Sequence, residues 1–590
     1  MDAAENSNSV AAPTFAPNVR SSLIAVIGAV AIIALWVATQ LAGLGREPFH
    51  THGEAREALV VQQMILHGGS SWILPKRDGP TDTQEEPSKP PLFHWMGALI
   101  ARWRGHLDEW SIRLPSAALS LGGALITYAA GVALWGPPAG FIGAVTMLTS
   151  FEWQRAATAA RVDMTLTFGL CVALLAYLFF LRSGRTWWLV PFYAGLAFGS
   201  LAKGPVGVAL PAAQVAVMCA LTRDLSAPRR MQLVRGLIVV AVVVGAWYVL
   251  ALFEGGVAFF TKQILNENLY RFAEASEYEG GHRHGALYLL GGLAAGWLPW
   301  TLFLPGPIVS LWQRRRELNA SDPCVYLVSW LIIVFVFYAA AVSKRSVYLL
   351  SLYPALGLLT GWWWATRLTA DDASEPRWLR AVLRPLVQLV AALVALLLIA
   401  AALEVAHLGV LSAIASRLTL DVEAQVNAAW ISAALRRHAL PSLALLGAGA
   451  AGLWWLSRVL QRPRWAAAFV ATLVALCASE TLVRQIVMTE IADRETYRDV
   501  MSATRQVIGA DATLSFYRAF EYGAVFYWGD HIAVYSGDLS TDAPRYLLMT
   551  PDEWGRVSAA QPERFERLRL PNVDETLNPR RFVLVKKRDA

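Results

Sequence analysis

The stretch Ser88-Lys89-Pro90-Pro91-Leu92-Phe93-His94-Trp95 lies in a polar loop between long apolar segments of the chain. Its two prolines cannot continue a helix, and they stiffen the backbone next to the lysine. An apolar, aromatic segment follows at once, over residues 92–103, with Arg102 near its end and Arg104 directly after it. A lysine held on a rigid turn beside a helix at the membrane surface suits an anionic group at a lipid interface, such as a lipid phosphate.

The composition of the whole chain is that of a membrane protein. Of its 590 residues, 56% are hydrophobic and 16% are charged, against about a quarter charged in soluble proteins. The mean hydropathy is +0.42. One span needs about 20 apolar residues, and many windows qualify. The first, over residues 22–44, is too long for the core of a signal peptide. The sequence therefore predicts a polytopic α-helical membrane protein.

Thirteen apolar segments are predicted to cross the membrane. They lie at 22–44, 113–134, 136–151, 163–181, 187–201, 204–221, 234–253, 285–311, 324–342, 346–366, 382–405, 439–457 and 464–485. An odd number of spans puts the two termini on opposite sides. The short loops rich in arginine all fall on one side, which the positive-inside rule makes cytoplasmic. We therefore expect a cytoplasmic N-terminus and an extracytoplasmic C-terminus.

The segment 488–590 differs in composition from the rest of the chain. Short β-like runs alternate there with helix-like runs, which is typical of a small soluble α/β domain. The sequence thus predicts a disordered N-terminus at 1–20, a membrane region at 21–487 with a large first outer loop at 45–112, and an extracytoplasmic domain at 488–590. No glycine-rich nucleotide fingerprint occurs in this segment, and we expect no nucleotide cofactor.

Three polar residues on the predicted outer side are candidates for chemistry. Glu54 heads a helix-like segment after the first span, Asp163 lies at the outer mouth of the fourth, and His282 precedes the eighth. Such a carboxylate suits a general base, and a histidine suits metal ligation or proton transfer. Each has a simpler interpretation as well. Glu54 can be a first-turn acid favoured by the helix dipole, Asp163 can be a helix N-cap, and His282 can lack a chemical role.

The same side carries a set of basic residues, which is unusual for an outer face. The set comprises Arg56, Lys89, Arg161, Lys203, Arg271, Arg283, Lys344 and Arg345. Some of them can simply face solvent or reach toward headgroups. Lys203 has almost no polar sequence around it, and an ionisable group at the membrane edge usually has a partner. As a set, these residues predict a bound anion.

The motifs, taken in order, resemble those of the polyprenyl-phosphate-sugar-dependent glycosyltransferases of the GT-C fold. The resemblance points above all to the lipid A aminoarabinose transferases, with protein O-mannosyltransferases more distant. The motifs are Gly53-Glu54-Ala55-Arg56, Lys89-Pro90-Pro91-Leu92, Arg113-Leu114-Pro115-Ser116, Arg161-Val162-Asp163, Lys203-Gly204-Pro205-Val206-Gly207, His282-Arg283, Leu298-Pro299-Trp300, Ser343-Lys344-Arg345 and Tyr353-Pro354-Ala355. The resemblance covers about residues 20–365 well and the rest only in layout.

The resemblance implies an inverting sugar transfer on the outer face of the bacterial inner membrane. The donor would be a polyprenyl (undecaprenyl) phosphate sugar, and the acceptor a lipid, a glycan or a protein. Asp163 and Glu54 match the catalytic carboxylates. The cations expected to bind the donor phosphate are Lys89, Arg56, Lys203, Lys344, Arg345 and Arg283, and Tyr348 and Glu86 are expected to contact substrate. Membrane lipids are further expected partners, and we expect a monomer that binds no nucleic acid.

The chain departs from the family pattern in two places. Gly53-Glu54 stands where family members usually have Asp-Glu, and Ser88 stands where they usually have a glutamate. In the aminoarabinose transferases that glutamate and a histidine at the His282 position serve a metal site. The change to serine therefore weakens the expectation of a divalent metal unless Glu85 or Glu86 takes over. Two other functions stay open: a flippase or transporter of an isoprenoid-linked sugar, and a catalytically degenerate relative that only binds lipid.

Overall fold

The structure is a computed structural model of the chain. It describes residues 19–80, 84–85, 89–224, 226–263, 285–369, 377–410, 413, 417, 422–459, 464–540, 543–571, 573 and 582–588.

Long apolar sequences form most of the helices. In chain order they are α1 (Val19–Trp36), α2 (His52–His67), α3 (Leu92–Arg104), α4 (Glu109–Trp135), α5 (Pro137–Leu148), α6 (Phe151–Ala157), α7 (Val162–Ser183), α8 (Leu189–Lys203), α9 (Val206–Thr222), α10 (Ala227–Arg230), α11 (Leu233–Phe259), α12 (Ala286–Gly296), α13 (Pro305–Gln313), α14 (Pro323–Ala340), α15 (Tyr353–Thr369), α16 (Arg377–Val405), α17 (Val422–Arg437), α18 (Ala439–Val459) and α19 (Trp465–Leu482). A two-stranded antiparallel ribbon, β1 (Arg77–Asp78) and β2 (Gln84–Glu85), lies between α2 and α3 in the chain.

Eight described helices are long and apolar enough to cross a membrane, namely α1, α4, α7, α11, α14, α16, α18 and α19. Helices α12 and α13 make a ninth candidate, bent by 104° at the break between them. The remaining predicted spans coincide with α5, α8, α9 and α15, which have 12, 15, 17 and 17 residues. Such helices are about 18–26 Å long, shorter than a hydrocarbon core of about 30 Å. The predicted count of thirteen spans is therefore not confirmed, whereas the multi-pass helical architecture is.

The close packing of α7 on α8 places the start of one helix beside the end of the other. A Cβ atom on Gly169 would lie 2.7 Å from the backbone nitrogen of Gly199, and one on Gly195 would lie 2.6 Å from the carbonyl oxygen of Gly169. Only glycine permits this approach, as small residues do in many membrane helix pairs. The two consecutive helices run antiparallel, so residues near 163 and 203 meet at one end of the pair.

After α19 the chain forms short helices and a mixed sheet. The helices are α20 (Thr489–Glu495), α21 (Arg498–Ile508), α22 (Tyr522–Trp528) and α23 (Pro551–Ala560), and the strands are β3 (Leu514–Tyr517), β4 (Ala533–Tyr535), β5 (Tyr546–Met549), β6 (Phe565–Leu568) and β7 (Val583–Lys587). The strand order is β4-β3-β5-β7-β6. Strand β3 pairs in parallel with β4 and β5, whereas β7 pairs antiparallel with β5 and β6.

This C-terminal sheet shares a hydrophobic core with the two helices of the first loop. Leu59 of α2, Phe93 of α3 and Phe516 of β3 all belong to one cluster of buried side chains. The contact is also polar, because Gln62 Nε2 donates to the carbonyl oxygen of Phe526 at 3.1 Å. The C-terminal sheet therefore packs against α2 and helps to hold that helix in place. The domain boundary at 487/488 and the side of the membrane on which this region lies stay predictions.

Candidate active site

Asp163 and Lys203 form an ion pair where α7 begins and α8 ends. Lys203 Nζ donates to Asp163 Oδ1 at 2.5 Å, and the side chains are 14% and 12% exposed. Asp163 lies in the first turn of α7, whereas the N-cap residue is Arg161. The interpretation of Asp163 as a helix N-cap is therefore wrong, and its carboxylate is engaged in a tertiary contact. Asp163 is thus the partner that an ionisable residue at the membrane edge, here Lys203, usually has.

An aromatic ring and further positive charges lie near the Asp163–Lys203 pair. The Lys203 ammonium lies 4.2 Å from the ring centroid of Tyr348, a cation–π contact that the sequence spacing does not predict. The positive charges of Arg161 and Lys89 also act on Asp163. The structure thus brings together four of the predicted site residues: Asp163, Lys203, Lys89 and Tyr348. A half-buried carboxylate within a group of cations suits the binding of a second anion.

Glu54 is committed to a different contact. Both of its carboxylate oxygens accept from Arg113, at 2.9 and 3.0 Å, and Oε1 also accepts from the backbone amide of Ala160 at 2.8 Å. Burial by itself would raise the pKa of Glu54, but the charge and hydrogen bonds of Arg113 outweigh it and hold the pKa below its ordinary value of 4.5. Arg113 donates as well to the carbonyl oxygens of Leu44 and Glu47. This network ties α2 to α4 and to the segment that precedes α7.

The contacts of Glu54 are those of a structural residue that holds neighbouring segments together. A carboxylate that already accepts three hydrogen bonds and is 5% exposed is poorly placed to take a proton from a substrate. The role of Glu54 as a second catalytic carboxylate thus stays a prediction with little geometric support. Sequence analysis places Arg113 in a motif but gives it no role. A buried carboxylate needs a fixed cation nearby, and that requirement is the signal that could have identified Arg113.

A second buried pair joins α2 to α3. His94 Nε2 lies 2.8 Å from Glu57 Oε2, and the two residues are 1% and 7% exposed. Arg56 Nη2 donates to the other Glu57 oxygen at 3.0 Å. Burial would raise the pKa of Glu57, yet the hydrogen bond to His94 and the charges of Arg56 and Arg77 hold that pKa far below its ordinary value. Glu57 and His94 are structural partners that sequence reasoning misses.

The Glu57–His94 pair joins two helices that position predicted phosphate-binding cations. Arg56 is one of the predicted phosphate ligands, and α3 begins directly after Lys89-Pro90-Pro91. The Glu57–His94 contact therefore fixes α2 and α3 relative to each other, and with them two predicted cations. A hydrogen bond between two buried groups holds such a geometry better than one at the surface.

Lys344 and Arg345 lie just before the 3₁₀ helix Ser346–Leu352, which carries Tyr348. Lys344 is buried, and its Nζ donates to the carbonyl oxygen of Ala341 at 2.5 Å. This segment reaches the Asp163–Lys203 pair through the Tyr348 ring. The phosphate-binding role of these two cations stays a prediction.

Three predicted site residues lie outside the described part of the chain: Glu86, His282 and Arg283. Within the described part, no group of three or more His, Cys, Asp or Glu side chains is arranged to hold a metal ion. Ser88, which replaces the usual glutamate, also lies outside it. The donor set expected for a metal is thus not assembled by the residues that the structure describes, and the metal stays an untested prediction.

The C-terminal segment contacts the residues before α2 and at the start of α4. Tyr527 of α22 accepts a hydrogen bond from the Phe49 amide at 2.7 Å and donates to Glu109 Oε1 at 2.6 Å. Arg498 of α21 also bonds to Glu109. These contacts hold the entry to α2 and the start of α4 together, so the C-terminal region stabilises the helices that carry the site.

Comparisons with known proteins show what the chain is similar to. Residues 88–263 match the family model described as dolichyl-phosphate-mannose-protein mannosyltransferase. An undecaprenyl phosphate-α-4-amino-4-deoxy-L-arabinose arabinosyl transferase from Pectobacterium atrosepticum is 25% identical over 340 residues, which are 56% of this chain and 58% of that protein. A transferase of the same description from Pseudomonas fluorescens is 28% identical over 55% of this chain and 58% of that protein. The aligned segment therefore spans little more than half of these relatives.

The fold is shared over nearly the whole length. A crystal structure of ArnT from Cupriavidus metallidurans bound to undecaprenyl phosphate superposes with a TM-score of 0.68 at 19% identity, covering 95% of this chain and 97% of that one. The apo structure of the same protein gives the same TM-score. The resemblance inferred from the motifs is therefore confirmed: this chain has the GT-C fold of the aminoarabinose transferases and is similar in sequence to polyprenyl-phosphate-sugar-dependent glycosyltransferases.

Proposed function

We propose that this protein is an integral membrane glycosyltransferase. It moves a sugar, a pentose or a hexose, from an undecaprenyl or related polyprenyl phosphate to an acceptor at the outer face of the bacterial inner membrane. The observation that carries the proposal is the Asp163–Lys203 pair, which lies among further cations at one end of two closely packed helices. The similarity to lipid-linked sugar transferases supports the donor class.

The cations of the site would hold the donor phosphate. Lys89 and Lys203 act as point charges on stiff backbone positions, and a lysine is a common phosphate ligand. When the bond between the anomeric carbon and the phosphate oxygen breaks, negative charge grows on the departing lipid phosphate. Positive groups fixed beforehand around that phosphate stabilise the charge in the transition state more than in the ground state.

Asp163 would act on the acceptor. Lys203 binds its Oδ1, while Oδ2 accepts no hydrogen bond from a residue in the described part of the chain. An acceptor hydroxyl that donates to Oδ2 would be oriented for attack on the anomeric carbon opposite the phosphate, which inverts the configuration. The hydroxyl proton passes to the carboxylate as the new carbon–oxygen bond forms. Tyr348 would hold the Lys203 ammonium in place during this step through the cation–π contact.

The membrane placement follows the charge of the loops. The arginine-rich short loops lie at the ends of the helices opposite the Asp163–Lys203 pair, and this asymmetry supports an extracytoplasmic site. The N-terminus would then be cytoplasmic. The expected partners are the lipid-linked donor, the acceptor and membrane lipids.

The experiment that tests the proposal compares the envelope of cells with and without the protein by mass spectrometry of lipids and glycans. The proposal expects one class of molecule to lose the mass of a single sugar residue when the protein is absent. The loss should persist when Asp163→Asn replaces the wild type at equal expression. Unchanged envelope components in both strains would contradict the proposal.

A further inference from the structure

The Arg161 side chain lies across a glycine at the start of α2. A Cβ atom on Gly53 would be 3.0 Å from Arg161 Nη2, 3.4 Å from Cζ and 3.9 Å from Nε. Three atoms of the guanidinium group thus lie over one backbone position. The Arg161 backbone is fixed as well, because its carbonyl oxygen accepts from Ser116 Oγ at 3.3 Å. The absence of a side chain at residue 53 is what makes room for this cation.

The acids next to Arg161 are already engaged with other cations. Glu54, the residue after Gly53, is bound through both oxygens by Arg113. Asp163, two residues after Arg161, is bound by Lys203. Across the described part of the chain, the Arg161 guanidinium forms no hydrogen bond and no ion pair, although the residue is half-buried.

The donors of this half-buried guanidinium are open to solvent or to a ligand, because no Arg161 nitrogen is both buried and without a hydrogen bond. It offers five N–H groups in a planar fork, which match the two oxygens of a phosphate or carboxylate. Its charge acts on Asp163 together with those of Lys203 and Lys89, so Arg161 belongs to the same cluster as the proposed site. A substrate oxyanion is the group whose binding would satisfy these donors.

We propose that Arg161 binds a substrate oxyanion, and that Gly53 supports this binding by leaving open the space over which the guanidinium lies. The inference rests on the proposed function and adds a substrate contact to it. The shared chemistry is a phosphate or carboxylate group, and it has two sources. One is the phosphate of the lipid donor, and the other is an anionic group on the acceptor.

The test measures ligand binding by the purified full-length protein in detergent. One arm titrates a polyprenyl phosphate, and the other titrates inorganic phosphate after the polyprenyl phosphate has been added to saturation. Arg161→Gln should weaken one of the two by about tenfold or more, as expected for a lost charged hydrogen bond. Weaker polyprenyl phosphate binding assigns the contact to the donor, and weaker inorganic phosphate binding alone assigns it to the acceptor. Unchanged affinity in both arms would overturn the inference.

Two further variants separate the inference from misfolding. Gly53→Ala should favour helix formation yet weaken binding of the same ligand by a smaller factor than Arg161→Gln, because its methyl group requires the guanidinium to shift by a few tenths of an ångström. A well-folded Gly53→Ala protein with wild-type affinity would contradict the role given to Gly53. Arg182→Gln, at the far exposed end of α7, is the matched control and should bind both ligands as the wild type does.

If the wild type itself bound no polyprenyl phosphate, the proposed function would fall. The inorganic phosphate arm would then still decide whether Arg161 binds an oxyanion.

Discussion

At the scale of single residues, the account depends on what the Asp163–Lys203 pair does. Two opposite charges that are mostly shielded from water stabilise each other, and removing one leaves the other uncompensated. The pair alone therefore does not prove catalysis, since structural ion pairs have the same geometry. The difference lies in the surroundings, where Tyr348 and further cations converge on the pair. Substitutions that change charge at constant size separate the two roles.

Asp163→Asn should lose most of the transferase activity while the affinity for the lipid donor survives. The amide keeps the size of the side chain and can still bond to Lys203, but it cannot accept a proton from the acceptor. Steady-state transfer and donor binding in detergent measure the two effects separately. Near-normal turnover in a well-folded Asp163→Asn protein would remove Asp163 from catalysis. Glu54→Gln would then become the informative variant.

Lys89→Ala should abolish transfer and leave the fold intact. The lysine is half-buried beside two buried prolines, and its charge reaches the site. The loss of one charged contact to the departing phosphate should cost about 2–4 kcal/mol of transition-state stabilisation. Turnover and the thermal unfolding midpoint in detergent give the readouts. Wild-type turnover with an unchanged midpoint would show that Lys89 does not bind the phosphate.

At the scale of elements, two buried contacts position the helices that carry these residues. The Glu54–Arg113 pair fixes the start of α2 against α4, and the Glu57–His94 pair fixes α2 against α3. The partners are 59 and 37 residues apart in sequence. No local spacing rule relates residues at such distances, so the sequence predicts the helices but not their pairing. The order of the motifs predicts that the cations lie close together, and these two buried contacts hold in place the helices that position Arg56 and Lys89.

Glu57→Gln should raise the KM for the lipid donor about fivefold with a smaller change in kcat. The amide weakens the contact to His94 and removes the charge opposite Arg56, which corresponds to about 1 kcal/mol of positioning energy. A steady-state split of KM and kcat measures it. His67→Gln, at the exposed end of the same helix, is the control. A drop in kcat at constant KM would assign Glu57 to the chemistry instead.

The number of spans is the prediction at this scale that the structure does not confirm. Apolar runs such as residues 136–151 meet a hydropathy criterion, but α5 has 12 residues because Gly136 and Pro137 start it late and Thr149 ends it early. Most of its residues are buried, and burial alone also requires an apolar sequence. A buried helix and a membrane span have the same composition, and length alone distinguishes them. Strand β6 contains Glu566 and Arg567 and lies at the sheet edge, so its sequence lacks the apolar pattern of a buried strand.

At the scale of the whole molecule, the motifs predict the fold class well. The order of short signatures along residues 20–365 leads to the GT-C fold, and the superposition on the ArnT structure over 95% of the chain confirms it. What the sequence cannot give is the union of the C-terminal sheet with the first loop. That union depends on contacts such as Tyr527 with Glu109, which are 418 residues apart.

The C-terminal region should lie outside the cytoplasm. The sheet packs on α2 and α3, which flank the proposed site, so the two must be on the same side of the membrane. A reporter enzyme fused after Ala590 that works only outside the cytoplasm should be active, and a fluorescent protein that folds only inside should be dark. The opposite pattern would place the site on the cytoplasmic face and reverse the proposed topology.

Sugar release from a polyprenyl-phosphate donor by the purified protein in detergent would show whether the protein transfers sugar from a lipid phosphate. The wild type should convert the donor to free polyprenyl phosphate. Asp163→Asn should bind the donor but convert little of it, and Lys89→Ala should convert none. A transporter would move the same lipid across vesicles without consuming it, and a degenerate relative would bind it unchanged. Donor lipid recovered intact from the wild type in the presence of envelope acceptors would contradict the account.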